Sequence, residues 1–225
     1  PDVTASTTCY YPPEISVSAS CASNLPVFTV SNARPDDGPM AAPQDYEIRD
    51  SANTLIASGS FQLGLGTSSQ QISVPAGNNP YATYTFISNG AVGTFNVDET
   101  CATQPVLTAA SVCSLNTPAF VISNSGGDMV LNQPYTLTQG GTEIASGNLN
   151  IAGGSQQIIN LPDGTDPYEA ITFATTGFAG TLNIDYDCDA PNLSATSDCA
   201  VPVAITITNN GGNMVSGQAY TITRG

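Results

Sequence analysis

The feature that most limits what this chain can fold into is internal repetition. Phe28-Thr29-Val30-Ser31-Asn32 returns as Phe120-Val121-Ile122-Ser123-Asn124 and again as Ile205-Thr206-Ile207-Thr208-Asn209. Each run leads through a turn-rich stretch to Met40, Met129 or Met214. After it comes Gln44-Asp45-Tyr46-Glu47-Ile48, Gln133-Pro134-Tyr135-Thr136-Leu137 or Gln218-Ala219-Tyr220-Thr221-Ile222. The first two copies continue in step. Ala57-Ser58-Gly59 matches Ala145-Ser146-Gly147, and Ser69-Gln70-Gln71-Ile72 matches Ser155-Gln156-Gln157-Ile158. Gly93-Thr94-Phe95-Asn96-Val97-Asp98 matches Gly180-Thr181-Leu182-Asn183-Ile184-Asp185. Offsets of 85 to 92 residues make each copy one small folding unit in a tandem array.

Within a copy, short runs alternating Val, Ile, Phe or Tyr with Ser or Thr are separated by Gly, Asn, Asp and Pro. That spacing predicts strands of an antiparallel sandwich. In the second copy it places them at 106–111, 119–123, 135–139, 142–150, 156–161, 168–175 and 180–185. Seven strands in one repeat is the size of an immunoglobulin-like domain. No stretch shows sustained apolar spacing of three and four, so almost no helix is expected. The expected fold class is all-β, a tandem of immunoglobulin-like antiparallel β-sandwich domains. Residues 10–101 and 102–188 form the two complete copies. Residues 189–225 carry the first three strands of a third, and residues 1–9 read as the last strand of a preceding or partner-completed domain. An opening Pro1-Asp2-Val3 suits a mature or excised segment.

The six cysteines keep the same phase. Cys9, Cys101 and Cys188 each end the last strand of a copy, and Cys21, Cys113 and Cys199 end the first strand of the next. With no histidine and no CxxC pair they read as disulfides, which points to an oxidising, extracellular setting. Two pairings compete. A local scheme joins Cys9–Cys21, Cys101–Cys113 and Cys188–Cys199. A domain scheme joins Cys21–Cys101 and Cys113–Cys188, and leaves Cys9 and Cys199 to partners outside the chain. Geometry favours the second. An extended step of 12 residues spans about 40 Å, whereas a disulfide needs Cα atoms within about 7 Å. The first and last strands of a sandwich can meet at one pole.

Composition removes whole classes of chemistry. The 225 residues include 18 acidic side chains, three arginines, no lysine, no histidine and no tryptophan, for a net charge of -15. Histidine-based catalysis, histidine–zinc sites, Schiff bases and P-loops are therefore out. Three scattered arginines cannot displace the counterions of a nucleic acid. No apolar run approaches the roughly 18 residues of a membrane span, and the acidic field repels anionic lipid. Neither nucleic acid nor membrane insertion is expected.

Few residues stand out as sites. Asp185, Asp187 and Asp189 alternate around Cys188 at a copy junction, where an oxygen cage can take calcium. The bland alternative is an acidic, solvated strand edge, and no cofactor is otherwise expected. The loop Asp163-Gly164-Thr165-Asp166-Pro167-Tyr168-Glu169 aligns with Ala76-Gly77-Asn78-Asn79-Pro80-Tyr81-Ala82, which lacks the acids, so it reads as a turn. Asn192-Leu193-Ser194 is a glycosylation sequon at Asn192. Tyr46, Tyr135, Tyr220, Phe28, Phe120 and the three methionines read as core packing. Tyr10 and Tyr11, which have no repeat counterparts, read as candidates for an inter-domain contact.

Ile122-Ser123-Asn124-Ser125-Gly126-Gly127 and Ile207-Thr208-Asn209-Asn210-Gly211-Gly212 resemble the strand-Asn-x-Gly signature of CARDB-type and related Ig-like repeats, tandem modules of secreted prokaryotic surface proteins. The first copy departs from it, reading Asn32-Ala33-Arg34-Pro35-Asp36-Asp37-Gly38 with about three inserted residues, so its turn must be rebuilt. The resemblance implies surface structure or adhesion and brings no catalytic residues. The expectation is a non-catalytic extracellular tandem-repeat protein of a fibre, stalk or filament. Its partners would be copies of itself, further repeats, or surface and matrix components. Head-to-tail assembly, with Asp2–Cys9 of one molecule completing the third copy of another, is one form of it. The competing expectation is a carbohydrate- or protein-binding module with its ligand at one loop pole.

Overall fold

A computed structural model describes residues 11–114, 117–198, 202–214, 217 and 219–223; side chains are described outside 114–118. No helix occurs among these residues. The chain divides into two compact units, Pro1–Thr103 and Gln104–Gly225. The third-copy residues belong to the second unit.

The first unit holds seven strands: β1 (Ile15–Ala22), β2 (Leu25–Asn32), β3 (Gln44–Asp50), β4 (Leu55–Phe61), β5 (Ser69–Ser73), β6 (Tyr84–Gly90) and β7 (Gly93–Glu99). They form a three-stranded sheet, β1-β2-β5, and a four-stranded sheet, β4-β3-β6-β7, paired antiparallel throughout. Ser23 and Asn24 both adopt positive φ, 51° and 61°, the two-residue turn whose twist suits a tight hairpin between β1 and β2.

The second unit repeats the plan with β8 (Leu107–Ser114), β9 (Thr117–Asn124), β10 (Gln133–Gln139), β11 (Thr142–Leu149), β12 (Gln156–Asn160), β13 (Ile171–Gly177) and β14 (Gly180–Tyr186). Its sheets are β12-β9-β8 and β11-β10-β13-β14. Tyr168, expected to open the sixth strand, lies in the preceding turn, where its N–H is held by Asp166 Oδ1. A hairpin of β15 (Leu193–Asp198) and β16 (Ala204–Asn209) follows.

Alternation turns one face of each strand of the two sandwiches, β1–β7 and β8–β14, toward a core. Phe28, Val30, Ile48, Phe61, Ile72 and Phe86 fill the first sandwich. Phe120, Ile122, Leu137, Leu149, Ile159 and Phe173 fill the second at the same register positions. Burying side chains of this size contributes about 1.5–3 kcal/mol each. The central ring is conserved in place: Phe86 lies 5.5 Å from both Phe28 and Tyr46, and Phe173 lies 5.6 Å from both Phe120 and Tyr135.

One sequence match is off by a residue. Ile72 pairs with Phe28 and is buried, but its structural counterpart against Phe120 is Ile159. Ile158 is 56% exposed. Side chains alternate faces along a strand, so a one-residue slip exchanges core for solvent. Packing against Phe120 decides which isoleucine goes inside.

The third copy also differs from expectation. Two strands form there, not three, and Tyr220–Ile222 makes no ladder among the described residues. In the complete copies the corresponding strand sits inside a four-stranded sheet between two hydrogen-bonding neighbours. Among the described residues neither neighbour stands beside Tyr220–Ile222. Tyr220 is accordingly 74% exposed and not packed in a core as Tyr46 and Tyr135 are.

Candidate functional site

The described residues that join strand ends, turns and sheets are the first place to look for function in a tandem repeat. Two disulfides are formed. Cys21 bonds to Cys101 with Cα atoms 5.6 Å apart across 80 residues of sequence. Cys113 bonds to Cys188 at 6.0 Å across 75 residues. The strands β1 and β7 lie side by side, as do β8 and β14, so the first and last strands of each sandwich are stapled at one pole. In the chain-entropy description a staple over such a loop contributes about 4–5 kcal/mol. Cys9 and Cys199 lie outside the described residues, as does Tyr10. Tyr11 is 60% exposed and donates its N–H to the Asp36 carbonyl.

A second joint is a buried glutamine that pins the hairpin between the last two strands. Gln44 Nε2 donates to Ser88 Oγ at 2.9 Å and to the Gly93 carbonyl at 3.0 Å, and its Oε1 accepts from Val92 N–H. Gln133 does the same with Thr175 Oγ1, the Gly180 carbonyl and Ala179 N–H. Gly90 and Gly177 make room for it: a Cβ on either would fall 2.6 Å from the glutamine Oε1. A polar residue recurring before each core tyrosine, as Gln44, Gln133 and Gln218, was the signal for this pin.

A third joint is the turn after the second strand. Asn124 Oδ1 accepts Val106 N–H and Gly126 N–H, both at 3.0 Å. Asn209 Oδ1 accepts Asn192 N–H and Gly211 N–H in the same way. In the first copy the inserted Asp37 takes over. Its Oδ2 accepts Glu14 N–H and Arg34 N–H, the corresponding donors. Asn32 stays in place and turns its amide to the Gly64 carbonyl at 2.6 Å. Asn32 Oδ1 and Asp37 Oδ1 are buried with no hydrogen-bond partner.

The expected calcium ligands are not gathered. Asp185, Asp187 and Asp189 are exposed, and Asp185 Oδ1 accepts from the Thr172 hydroxyl across the strand pair. Among the described residues the close group of potential ligands is Cys21, Glu99 and Cys101. Its two sulfurs are already spent in a disulfide. Asp163 and Asp166 belong to a turn with Gly164 at φ +85°, matching the turn at Gly77. Asn192 is exposed, and its N–H is held by Asn209 Oδ1.

Among titrating groups, Tyr84 has its pKa pushed above its ordinary 10.0, chiefly by burial and then by the negative charge of Asp50, against a hydrogen bond from its hydroxyl to the Asn79 carbonyl. An open cleft of about 540 Å³ in the first unit is lined by Pro12, Pro13, Pro39 and Pro43 with Ala91 and Val92.

Two disulfides fit an oxidising, extracellular environment. No helix among the described residues is long and apolar enough to cross a membrane. No known protein family matches the chain, and no curated protein matches it. Among solved structures, a β-D-glucuronidase from Dictyoglomus thermophilum is similar over 76% of this chain and 37% of its own, at 8% identity and a TM-score of 0.22. A likeness that slight bears on neither fold nor activity.

Proposed function

We propose that this protein is a non-catalytic, extracellular structural or adhesive element, a tandem of immunoglobulin-like sandwiches within a surface fibre, stalk or filament. One observation carries the reading. The two complete copies share the same core positions, the same glutamine pin and the same staple between first and last strands, and differ mainly in the turn after the second strand. A binding module concentrates its differences in one site, whereas a spacer keeps its units alike. The strand-Asn-x-Gly resemblance to CARDB-type repeats of secreted surface proteins supports the same reading. The proline-lined cleft of the first unit favours a binding module, but it lacks the aromatic platform that sugar recognition uses.

The mechanism is mechanical. Pulling on a sandwich separates its first and last strands, and the disulfide joins those two strands. Tension then bypasses the enclosed loop. Stretching single molecules tests this. Under oxidising conditions neither complete copy should release its loop. After reduction, unfolding should add about 250–270 Å per copy at about 3.4 Å per residue over the 80 and 75 enclosed residues. Equal extension with and without reductant would exclude the load-bearing role of the staples. Electron microscopy of native material separates a fibre component from a monomeric binding protein.

A further inference from the structure

Among the described residues the apolar face of the third copy has nothing packed on it. Ile205 and Ile207 are 44% and 52% exposed, and Tyr220 and Ile222 are 74% and 67% exposed. The counterparts of Ile205, Ile207 and Ile222, namely Phe28, Val30, Ile48, Phe120, Ile122 and Leu137, are all within 1% of complete burial. The counterparts of Tyr220, namely Tyr46 and Tyr135, are half-buried. The two bare segments line one open groove of about 820 Å³, together with Ala195 and Val203. Contiguous apolar surface of this kind marks an interaction site. The free edge of β16, away from β15, adds unpaired main-chain groups where the complete copies add a strand.

The two complete copies show what belongs there. β5 and β12 pair along the edge of β2 and β9. β6 and β13 bring in Phe86 and Phe173, each touching the ring of the second strand and the tyrosine of the third. The third copy lacks that central ring between Ile205 and Tyr220. Its tyrosine also has a fixed neighbour elsewhere. A Cβ at Gly59 would lie 2.9 Å from the Tyr46 hydroxyl, and one at Gly147 would lie 2.7 Å from the Tyr135 hydroxyl, so the strand beside Tyr220 must offer a glycine. In sequence the copy also keeps Gln218 and Cys199 at the positions of the hairpin pin and the staple, both outside the described residues.

We propose that this groove is the seat of a polypeptide segment of the β4–β7 type of this same repeat. A strand would pair antiparallel with β16, a glycine would stand against Tyr220, and a phenylalanine would fill the gap between Ile205 and Tyr220. The groove takes β-structure by edge pairing plus side-chain insertion, which sets it apart from a small-ligand pocket. The inference rests on the repeat, not on the mechanical role proposed above, and its failure would leave that role to the stretching experiment.

The test extends the full chain. Residues 141–188 of the second copy are appended after Gly225, with Cys188→Ser in the appended segment so that the existing disulfides are undisturbed. Thr223-Arg224-Gly225 then occupies the place of Thr138-Gln139-Gly140. Amide hydrogen exchange at Ile205, Ile207 and Ile222 should slow by about 100-fold or more relative to the unextended chain. The same extension with Phe173→Ser in the appended segment should lose that protection. Exchange in β8–β14 is the internal control that the second copy remains folded. Unchanged exchange in 193–222, or equal protection by the serine variant, overturns the proposal. So does an unextended chain that is already protected and dimeric by light scattering, because the groove would then be covered by a second copy.

Discussion

The first and second copies solve one problem with different residues. Each must satisfy two main-chain N–H groups where the strand before the turn meets the turn itself. In the second copy Asn124 does so with an amide oxygen two residues from one donor. The first copy has three more residues and reaches back with Asp37. What the fold demands is an acceptor at that point in space, not an asparagine at that point in sequence. The substitution has a cost. Asn32 Oδ1 and Asp37 Oδ1 lose their partners inside the protein, and an unsatisfied buried acceptor costs about 1–3 kcal/mol. The first copy should therefore have the weaker turn.

The sharpest test of the likeness of the copies is to remove the shared central ring. Phe86→Ala and Phe173→Ala should each cost about 3–5 kcal/mol, with equal losses to within about 1 kcal/mol, read by denaturant unfolding with a probe on each unit. Unequal losses would show that the two cores are alike only in outline. Next come the turn acceptors. Asp37→Ala should cost about 2–3 kcal/mol by stranding two N–H groups and a charge-assisted bond, and Asn124→Ala about the same. Were Asp37→Ala harmless, Asn32 would have resumed the role its counterparts play.

The turn donors should part company. A Cβ at Gly126 would fall 2.5 Å from the Gln104 carbonyl oxygen and 2.6 Å from the Val106 nitrogen, so Gly126→Ala should cost about 2 kcal/mol or more. The corresponding first-copy residue is Arg34, whose side chain is 58% exposed in an ion pair with Glu14. Arg34→Ala should change stability by about 0.5 kcal/mol or less. The smallest difference is in alkaline pH. Tyr84 of the first copy stands where the second has Ile171. Its raised pKa means that its stabilisation is complete below the unfolded value near pH 10 and fades as pH rises through the folded one. The first unit should lose this contribution there, and Tyr84→Phe should remove that loss in a pH series of melting curves.

Strand positions were legible because alternation is local: a run such as Tyr135-Thr136-Leu137 shows its two faces without reference to anything distant. The staples between first and last strands were legible from cysteine phase combined with the reach of an extended chain. The choice between Ile158 and Ile159 was not, since both follow a polar run and only Phe120 on the neighbouring strand distinguishes them. Nor was the exchange of Asn32 for Asp37, which depends on a three-dimensional loop path. The glutamine pin was visible as a recurrence but not as a function, because its partners lie more than 40 residues away.

By itself the sequence determined the repeat, its strand content, the chemistry it cannot perform and the phase of its cysteines, all of which follow from local pattern and composition. The tertiary structure decided which apolar residues are core. Ile48 and Ile222 occupy the same place in the repeat, yet one is fully buried and the other is 67% exposed. Burial is not a property of a residue or of its strand. It is conferred by whatever packs against the strand, and among the described residues nothing packs against Ile222 as it does against Ile48.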